Sequence, residues 1–150
     1  MDARLLYCVI FCLLAAAFVD TMVMQNPRYK VARVGKPVNL ICSQTMDHDS
    51  MFWYQQKPNQ GPKLLLYYYD SNLNRETDTS DNFQSSRHNT SFCSLNITSA
   101  GLGDSAMYLC ASTPGLGDGQ NTLFFGAGTR LSVLEDLKTV TPPKVSLFEP

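Results

Sequence analysis

A chain of 150 residues has room for one ordinary domain around a single core, with some additional sequence. Its 12 Lys and Arg residues nearly balance its 13 Asp and Glu residues, and the formal net charge is −1. This balance offers no electrostatic basis for binding a phosphate backbone, so we expect no nucleic-acid partner.

The first twenty residues differ in character from the rest of the chain. Arg4 precedes an apolar run from Leu5 to Val19, with small residues around Ala17. This pattern is typical of a secretory signal peptide, which we assign to residues 1–19 with cleavage between 17 and 21. A membrane-spanning anchor is the alternative, but the run is shorter than the roughly 20 apolar residues that cross a bilayer. We therefore expect the mature chain in an oxidising compartment.

From residue 30 onward, short runs with period-two alternation are separated by turn residues, and none shows a sustained helical period. This pattern predicts an all-β fold, an antiparallel sandwich or barrel. Turns are expected at 57–62 and 100–104, where Gly, Pro, Asn and Asp cluster. The residues expected to face the core are Val38, Leu40, Cys42, Met51, Trp53, Gln55, Cys93, Leu95, Ile97, Ala106, Tyr108, Cys110 and, in the last strand, Leu131.

Four of these inward positions form a specific set. Cys42 lies on an early strand, Trp53 on the next, and Tyr108 two residues before Cys110 on a late strand. A Cys42–Cys110 disulfide would join two facing sheets, and the Trp53 ring would pack against it. The Tyr108 hydroxyl is predicted to hydrogen-bond the backbone just upstream, near residues 103–104. The alternative is that these are four unrelated core residues.

Three segments resemble the framework of an immunoglobulin variable domain: WYQQKP at 53–58, DSAMYLC at 104–110 and FGAGTRLSVL at 125–134. Two more resemble parts of T-cell receptor beta chains, namely CSQTMDHDSMFWYQQ at 42–56 and EDLKTVTPPKVSLFEP at 135–150. The chain is therefore identified as a member of the T-cell receptor beta family. The resemblance implies an immunoglobulin variable-type, two-sheet Greek-key sandwich at residues 20–134, followed by the truncated start of a constant domain at 135–150.

One outward sheet face is too apolar to meet water. If Trp53 and Cys110 point inward, then Phe52, Tyr54 and Leu109 point outward from the same sheet. The resemblance implies that the variable domain of an alpha chain covers this face, in contact with Tyr54, Gln56, Pro62, Leu64, Leu109 and Phe125. Gln56 would bond a matching glutamine across the interface, and Gly126 and Gly128 would flank a β-bulge. A homodimer through the same face is the alternative.

Three loops are expected to cluster at one end of the sandwich and to bind ligand. Their Tyr, Ser, Asn and Gly content is typical of a contact surface. The residues are Met46, Asp47, His48, Asp49 and Ser50 in the first loop, Tyr68, Tyr69, Asp70, Ser71 and Asn72 in the second, and Thr113, Pro114, Gly115, Leu116, Gly117, Asp118, Gly119 and Gln120 in the third. By the resemblance, the ligand is a peptide presented by a major histocompatibility complex (MHC) molecule. The resemblance also implies CD3 signalling subunits as partners and a position on the extracellular side of the plasma membrane.

Other chemistries fit the sequence less well. Residues 47–50 include the side chains of a catalytic triad or metal site, but neighbouring residues of an extended loop point in different directions. The glycines at 115–119 are not a dinucleotide fingerprint, because no helical pattern follows them. We expect no catalytic residue, metal or cofactor, and hence no enzyme. A variable-type adhesion or coreceptor domain is the alternative function, but it would lack the insert and strand ending at 111–134.

Two sequons predict N-linked glycans at Asn89 and Asn96. Once Cys42 and Cys110 pair, Cys93 is left over, and its inward position predicts a buried, inert thiol. A reactive or intermolecular thiol is the alternative.

Asn82 marks a departure from the family pattern. Variable domains often carry an arginine at this position, paired with the aspartate that is Asp104 here. Arg75 and Arg87 are the candidates to replace that ion pair.

Overall fold

The computed structural model describes residues 3–4, 22–115 and 122–135. Almost all of the predicted signal peptide, the loop residues Leu116 to Gln120 and residues 136–150 of the predicted constant segment lie outside this part. The expectations for them therefore stay predictions.

Strands dominate the described residues, with one short 3-10 helix at Leu102–Asp104. In chain order the strands are β1 Val23–Asn26, β2 Tyr29–Arg33, β3 Val38–Gln44, β4 Ser50–Gln56, β5 Lys63–Tyr69, β6 Asn72–Arg75, β7 Phe83–Gln84, β8 Phe92–Ile97, β9 Ala106–Thr113, β10 Phe124–Phe125 and β11 Thr129–Leu134. The turns expected at 57–62 and 100–104 separate β4 from β5 and β8 from β9. In the first turn, the Gln60 N–H donates to the Lys57 carbonyl at 3.1 Å.

The strands form two facing sheets. The smaller sheet has the order β1-β3-β8-β7, and the larger has the order β2-β11-β9-β4-β5-β6, with β10 also pairing with β9. β11 pairs with β2 in parallel, whereas the other described pairs are antiparallel. The chain passes from one sheet to the other between β1 and β2, where the Asn26–Pro27 peptide bond is cis. The all-β architecture predicted from the alternation is confirmed, and so is the two-sheet sandwich implied by the resemblance.

The core lies between the sheets and is built from the alternate residues of each strand. Along β3 and β4, buried positions alternate with half-buried or exposed ones, because successive side chains of a strand point to opposite faces. Trp53, Leu95 and Tyr108 are fully buried, and Leu131 is 2% exposed. These four predicted core residues therefore lie in the core.

A disulfide and a tyrosine hydrogen bond connect the late strand β9 to the rest of the fold. Cys42 on β3 and Cys110 on β9 are bridged, which joins the two sheets as predicted. The Tyr108 hydroxyl donates to the Asp104 carbonyl at 2.7 Å, also as predicted, and accepts a hydrogen bond from Gln55 Nε2 at 3.1 Å. Burial raises the pKa of Tyr108 above its usual range, so the hydroxyl remains a donor.

The expected replacement of the arginine–aspartate pair is wrong. Asp104 Oδ2 accepts a hydrogen bond from the Gly101 N–H at 2.8 Å. Arg75 and Arg87 both donate to backbone carbonyls elsewhere. Asn82 instead exchanges two hydrogen bonds, of 2.6 and 2.9 Å, with the backbone of the turn after β8. The Asn82 amide and the Asp104 carboxylate thus bind backbone groups of the turn between β8 and β9, in place of the expected ion pair.

Candidate functional site

The outer face of the larger sheet carries four aromatic side chains in contact, Phe52, Tyr54, Tyr67 and Phe125, which we call the aromatic row. The ring centroids are 5.7 Å apart for Phe125 and Tyr54, 6.5 Å for Tyr54 and Phe52, and 5.3 Å for Phe52 and Tyr67. These separations are those of favourable aromatic pairs. Phe125 is 43% exposed and the other three are half-buried, so the row is partly open to solvent.

The other residues predicted for this face lie around the aromatic row. Leu64 and Leu109 are half-buried and stand opposite Tyr54 in the neighbouring strands, while Pro62 is exposed. Gln56 is half-buried, and its Nε2 donates to the Gln60 carbonyl at 3.0 Å. The sequence interpretation missed Tyr67, although its place in the alternation of β5 could have identified it. Of the predicted interface residues, Tyr54, Gln56, Leu64, Leu109 and Phe125 thus lie on strands of the larger sheet, and Pro62 lies in the turn before β5.

Gln25 fills the gap between β10 and β11, next to the aromatic row. Its Oε1 accepts hydrogen bonds from the Cys110 N–H and the Gly128 N–H, each at 3.0 Å. Its Nε2 donates to the Tyr108 carbonyl at 2.9 Å. Gln25 is 8% exposed, so its side chain lies within the sandwich. There it makes hydrogen bonds that a neighbouring strand would otherwise make to these backbone groups. No local signal in the sequence indicated this role.

Gly126 allows this close approach of Gln25, and Gly128 leaves room for Met107 on the neighbouring strand. A Cβ atom on Gly126 would lie 2.5 Å from Gln25 Oε1. Gly128 has a φ of +93°, and a Cβ atom there would lie 2.7 Å from the Met107 sulfur. A larger residue at either position would therefore displace its neighbours and the strand that carries Phe125. The strand is interrupted here, in the region where the sequence predicts a β-bulge.

Two residues of the first predicted loop are buried, and one of them, His48, anchors the loop to neighbouring strands. His48 is 7% exposed, its Nδ1 lies 2.8 Å from Ser112 Oγ, and its ring centroid lies 5.3 Å from that of Phe124. Ser50 is 3% exposed. Contrary to the expectation of contact residues, these two side chains are buried, and His48 holds the loop against Ser112 and Phe124. Asp47 and Asp49 are exposed and Met46 is half-buried.

In the second and third loops, too, fewer side chains are exposed to a ligand than the sequence predicts. Tyr68 on β5 and Thr113 on β9 are 4% and 6% exposed, so neither offers its side chain to a ligand as expected. The exposed residues of the second loop are Tyr69, Asp70, Ser71 and Asn72. In the third loop, Pro114 and Gly115 are half-buried, and 116–120 lie outside the described residues.

We expect acidification to destabilise the fold through His48. Burial lowers the pKa of His48 below its usual 6.5, and Asp47 and Asp49 offset part of this effect. Between the lowered pKa and 6.5, the unfolded chain binds more protons than the folded one, so stability falls as the pH drops through this window and is fully present above it. The melting temperature should therefore decrease from about pH 7.5 to about pH 5.5. His48→Gln should reduce this slope, while His88→Gln, at an exposed histidine, should keep it. Equal slopes in His48→Gln and the unsubstituted chain would contradict the prediction.

Cys93 lies directly beside the disulfide. In the β3–β8 register it stands opposite Cys42, and it is fully buried and unpaired. Burial raises the pKa of its thiol to about 12. The predicted burial of Cys93 is confirmed, and because the thiolate is the reactive form, its lack of reactivity at neutral pH stays the expectation.

The two sequons differ in their surroundings. Asn89 is exposed in the connection between β7 and β8, where its Oδ1 accepts a hydrogen bond from the Ser91 N–H at 3.0 Å. Asn96 is half-buried on β8, and its Nδ2 donates to Ser94 Oγ at 3.2 Å. A glycan is therefore easier to accommodate at Asn89 than at Asn96. Glycosylation of both stays a prediction.

Among residues 3–4, 22–115 and 122–135, no group of three or more His, Cys, Asp or Glu side chains could hold a metal ion. The same part of the chain contains no helix that is long and apolar enough to cross a membrane.

Comparison with known proteins identifies the family of this chain. Residues 25–134 match the family model of the immunoglobulin V-set domain. The chain is 42% identical over 113 residues to T cell receptor beta variable 28 of Homo sapiens, covering 75% of this chain and 99% of that protein. It is 41% identical over 122 residues to T-cell receptor beta chain V region C5 of Mus musculus, covering 81% and 99%. The chain belongs to the T-cell receptor beta family.

Another T-cell receptor beta relative has a viral source. A viral T-cell receptor beta chain-like protein of feline leukemia virus is 45% identical over 151 residues, covering all of this chain. The chain spans about half, 47%, of the length of that relative. The family membership inferred from the framework segments is confirmed. As a T-cell receptor beta family member with a V-set domain, the chain is a receptor chain and not an enzyme.

Proposed function

We propose that the chain is the antigen-recognition subunit of an alpha-beta T-cell receptor. It pairs with the variable domain of an alpha chain through the aromatic row and binds peptide presented by MHC through its three loops. In this proposal the domain lies on the extracellular side of the plasma membrane, and CD3 signalling subunits associate with the receptor outside the described domain. The aromatic row carries the proposal.

The aromatic row supports pairing because a solvated sheet face is ordinarily polar. Covering a few hundred Å² of apolar surface, at about 25 cal/mol per Å², contributes several kcal/mol before the costs of association. Phe52 and Tyr67 of the row, together with Leu64, form the apolar side of a groove of about 640 Å³ that extends the contact area. This face can therefore receive a partner with apolar side chains of its own.

The exposed residues of the first two loops support ligand binding. Tyr69, Ser71 and Asn72 combine aromatic contact area with adaptable hydrogen bonding, as in other paratopes. Asp47, Asp49 and Asp70 give this end of the domain negative charge, which favours a ligand surface with positive side chains. The glycine-rich third loop loses conformational entropy when it docks, so we expect modest affinity.

Pairing is tested by Tyr54→Asp, coexpressed with an alpha chain and analysed by size-exclusion chromatography with light scattering. The aspartate would be desolvated without a partner, so we expect at least about a tenfold loss of heterodimer. Asn39→Asp is the matched control, because Asn39 is exposed on the outer face of the smaller sheet. Full pairing by a folded Tyr54→Asp variant would contradict the proposal. A dimer of this chain alone, disrupted by the same substitution, would instead support the homodimer.

Ligand recognition is tested with a panel of peptide–MHC tetramers on cells that carry this chain and its alpha partner. Binding of one tetramer that is lost on Asp70→Lys would support recognition through the loops. Absence of alpha-chain pairing at the cell surface would contradict the whole assignment.

A further inference from the structure

One arginine joins three separate segments at the loop end of the domain. Arg87 lies in the connection between β7 and β8. Its Nη1 donates to the carbonyls of Asp49, at 2.6 Å, and Asp70, at 2.8 Å. Its Nη2 donates to the carbonyls of His48, at 3.0 Å, and Thr90, at 2.7 Å. The guanidinium thus binds the first loop, the second loop and its own connection at once.

Three of these four carbonyls also accept hydrogen bonds from other donors. Gln44 Nε2 donates to the His48 carbonyl at 3.0 Å and to the Thr90 carbonyl at 2.8 Å. The Asp70 N–H donates to the Asp49 carbonyl at 2.9 Å. Gln44 thereby attaches the first loop to β3. Beyond the β4–β5 ladder, which pairs Ser50 with Tyr69, the first loop is linked to the second by the Asp70 N–H and by Arg87.

The contacts of Arg87 depend on the shape of its side chain as well as on its charge. The four acceptors are neutral carbonyls, which a planar guanidinium can bind in pairs from its two terminal nitrogens. The group also lies over the Tyr68 ring, 5.9 Å from the centroid. Its Nε is buried and has no hydrogen-bond partner among the described residues, which is unfavourable for a polar group. A lysine, with a single ammonium, could not span all four carbonyls.

Each of the two loops includes an exposed residue with an uncommon backbone conformation. Asp47 has a φ of 56° and Asp70 a φ of 55°, in the left-handed region. Aspartate tolerates this region better than most residues, but the surrounding contacts must still hold it there. The Asp70 carbonyl is itself bound by Arg87. Arg87 therefore acts on the part of the second loop that most needs support.

We propose that Arg87 is a positioning residue for ligand recognition. It fixes the first loop relative to the second, so that the exposed residues of both form one preorganised surface. Preorganisation lowers the conformational entropy lost on binding and thus favours affinity without a direct contact. This inference rests on the proposed function, in which these loops bind ligand, but its test requires no ligand.

The test compares amide hydrogen exchange, measured by NMR, in the unsubstituted chain, Arg87→Met and Arg87→Lys. We expect the Asp70 amide to exchange at least about tenfold faster in Arg87→Met, because its bond to the first loop loses its support. Amides of β3 and β8 should change by less than about twofold. Arg75→Met is the matched control, since Arg75 is an arginine with one bond to a backbone carbonyl, at 2.9 Å.

Three outcomes would overturn the proposal. If the Asp70 amide accelerates no more than the amides of β3 and β8, Arg87 is a general stabilising residue. If Arg87→Lys restores full protection, the positive charge suffices and the guanidinium does not position the loops. If Arg75→Met accelerates the Asp70 amide as much as Arg87→Met, the effect is not specific to Arg87. None of these results depends on whether the chain binds peptide–MHC.

Discussion

Replacing both Cys42 and Cys110 by alanine is expected to lower the free energy of unfolding by about 4 kcal/mol. The bridge connects positions 68 residues apart, so its loss gives the unfolded chain much more conformational freedom. A domain of this size is stable by only about 5–15 kcal/mol, and the double variant should be close to unfolding. Urea denaturation followed by tryptophan fluorescence, with linear extrapolation to water, measures the change.

The control for the disulfide variant is Cys93→Ala, which alters a fully buried cysteine beside the bridge but leaves the bridge intact. We expect it to cost clearly less than the double substitution, because only a small buried group is removed. A double variant within about 1 kcal/mol of the unsubstituted chain would show that the bridge contributes little.

Gln25→Ala is expected to lower the free energy of unfolding by about 3 kcal/mol. The substitution removes three hydrogen bonds and leaves the Cys110 N–H, the Gly128 N–H and the Tyr108 carbonyl without that partner in the sandwich. Each such buried group costs about 1–3 kcal/mol, and partial entry of water reduces the sum. We also expect weaker pairing with an alpha chain, because Gln25 supports the interrupted strand next to Phe125.

Gln84→Ala is the control for Gln25, since Gln84 is exposed and its side chain makes one hydrogen bond, to the Asp81 carbonyl at 2.6 Å. It should change stability by less than about 0.5 kcal/mol. Denaturation measures stability for both variants, and size-exclusion chromatography with an alpha chain measures pairing. A Gln25→Ala variant as stable as Gln84→Ala would refute the role assigned to Gln25.

The outer face of the larger sheet, with its aromatic row, was more predictable than the loops. Once Trp53 and Cys110 are placed inward, the pleat of a strand determines which neighbours point outward. Loop residues have no such period, so the burial of some of them could not be predicted. All five residues of 46–50 were therefore expected to contact the ligand. His48 is buried because Ser112 and Phe124, from distant parts of the chain, happen to lie beside it.

The order of residues by itself determined the strands, the sheet faces, the Cys42–Cys110 bridge and the hydrogen bond of Tyr108. The strands and faces follow from local alternation, whereas the Cys42–Cys110 pair and the Tyr108 bond follow from the pattern of an immunoglobulin-type sandwich. Only the tertiary structure decided the roles of Gln25 and Arg87. Gln25 bonds Tyr108 across 83 positions, and Arg87 bonds Asp49 across 38. Their partners are backbone groups, which every residue carries, so they become specific partners only when folding brings them to one place.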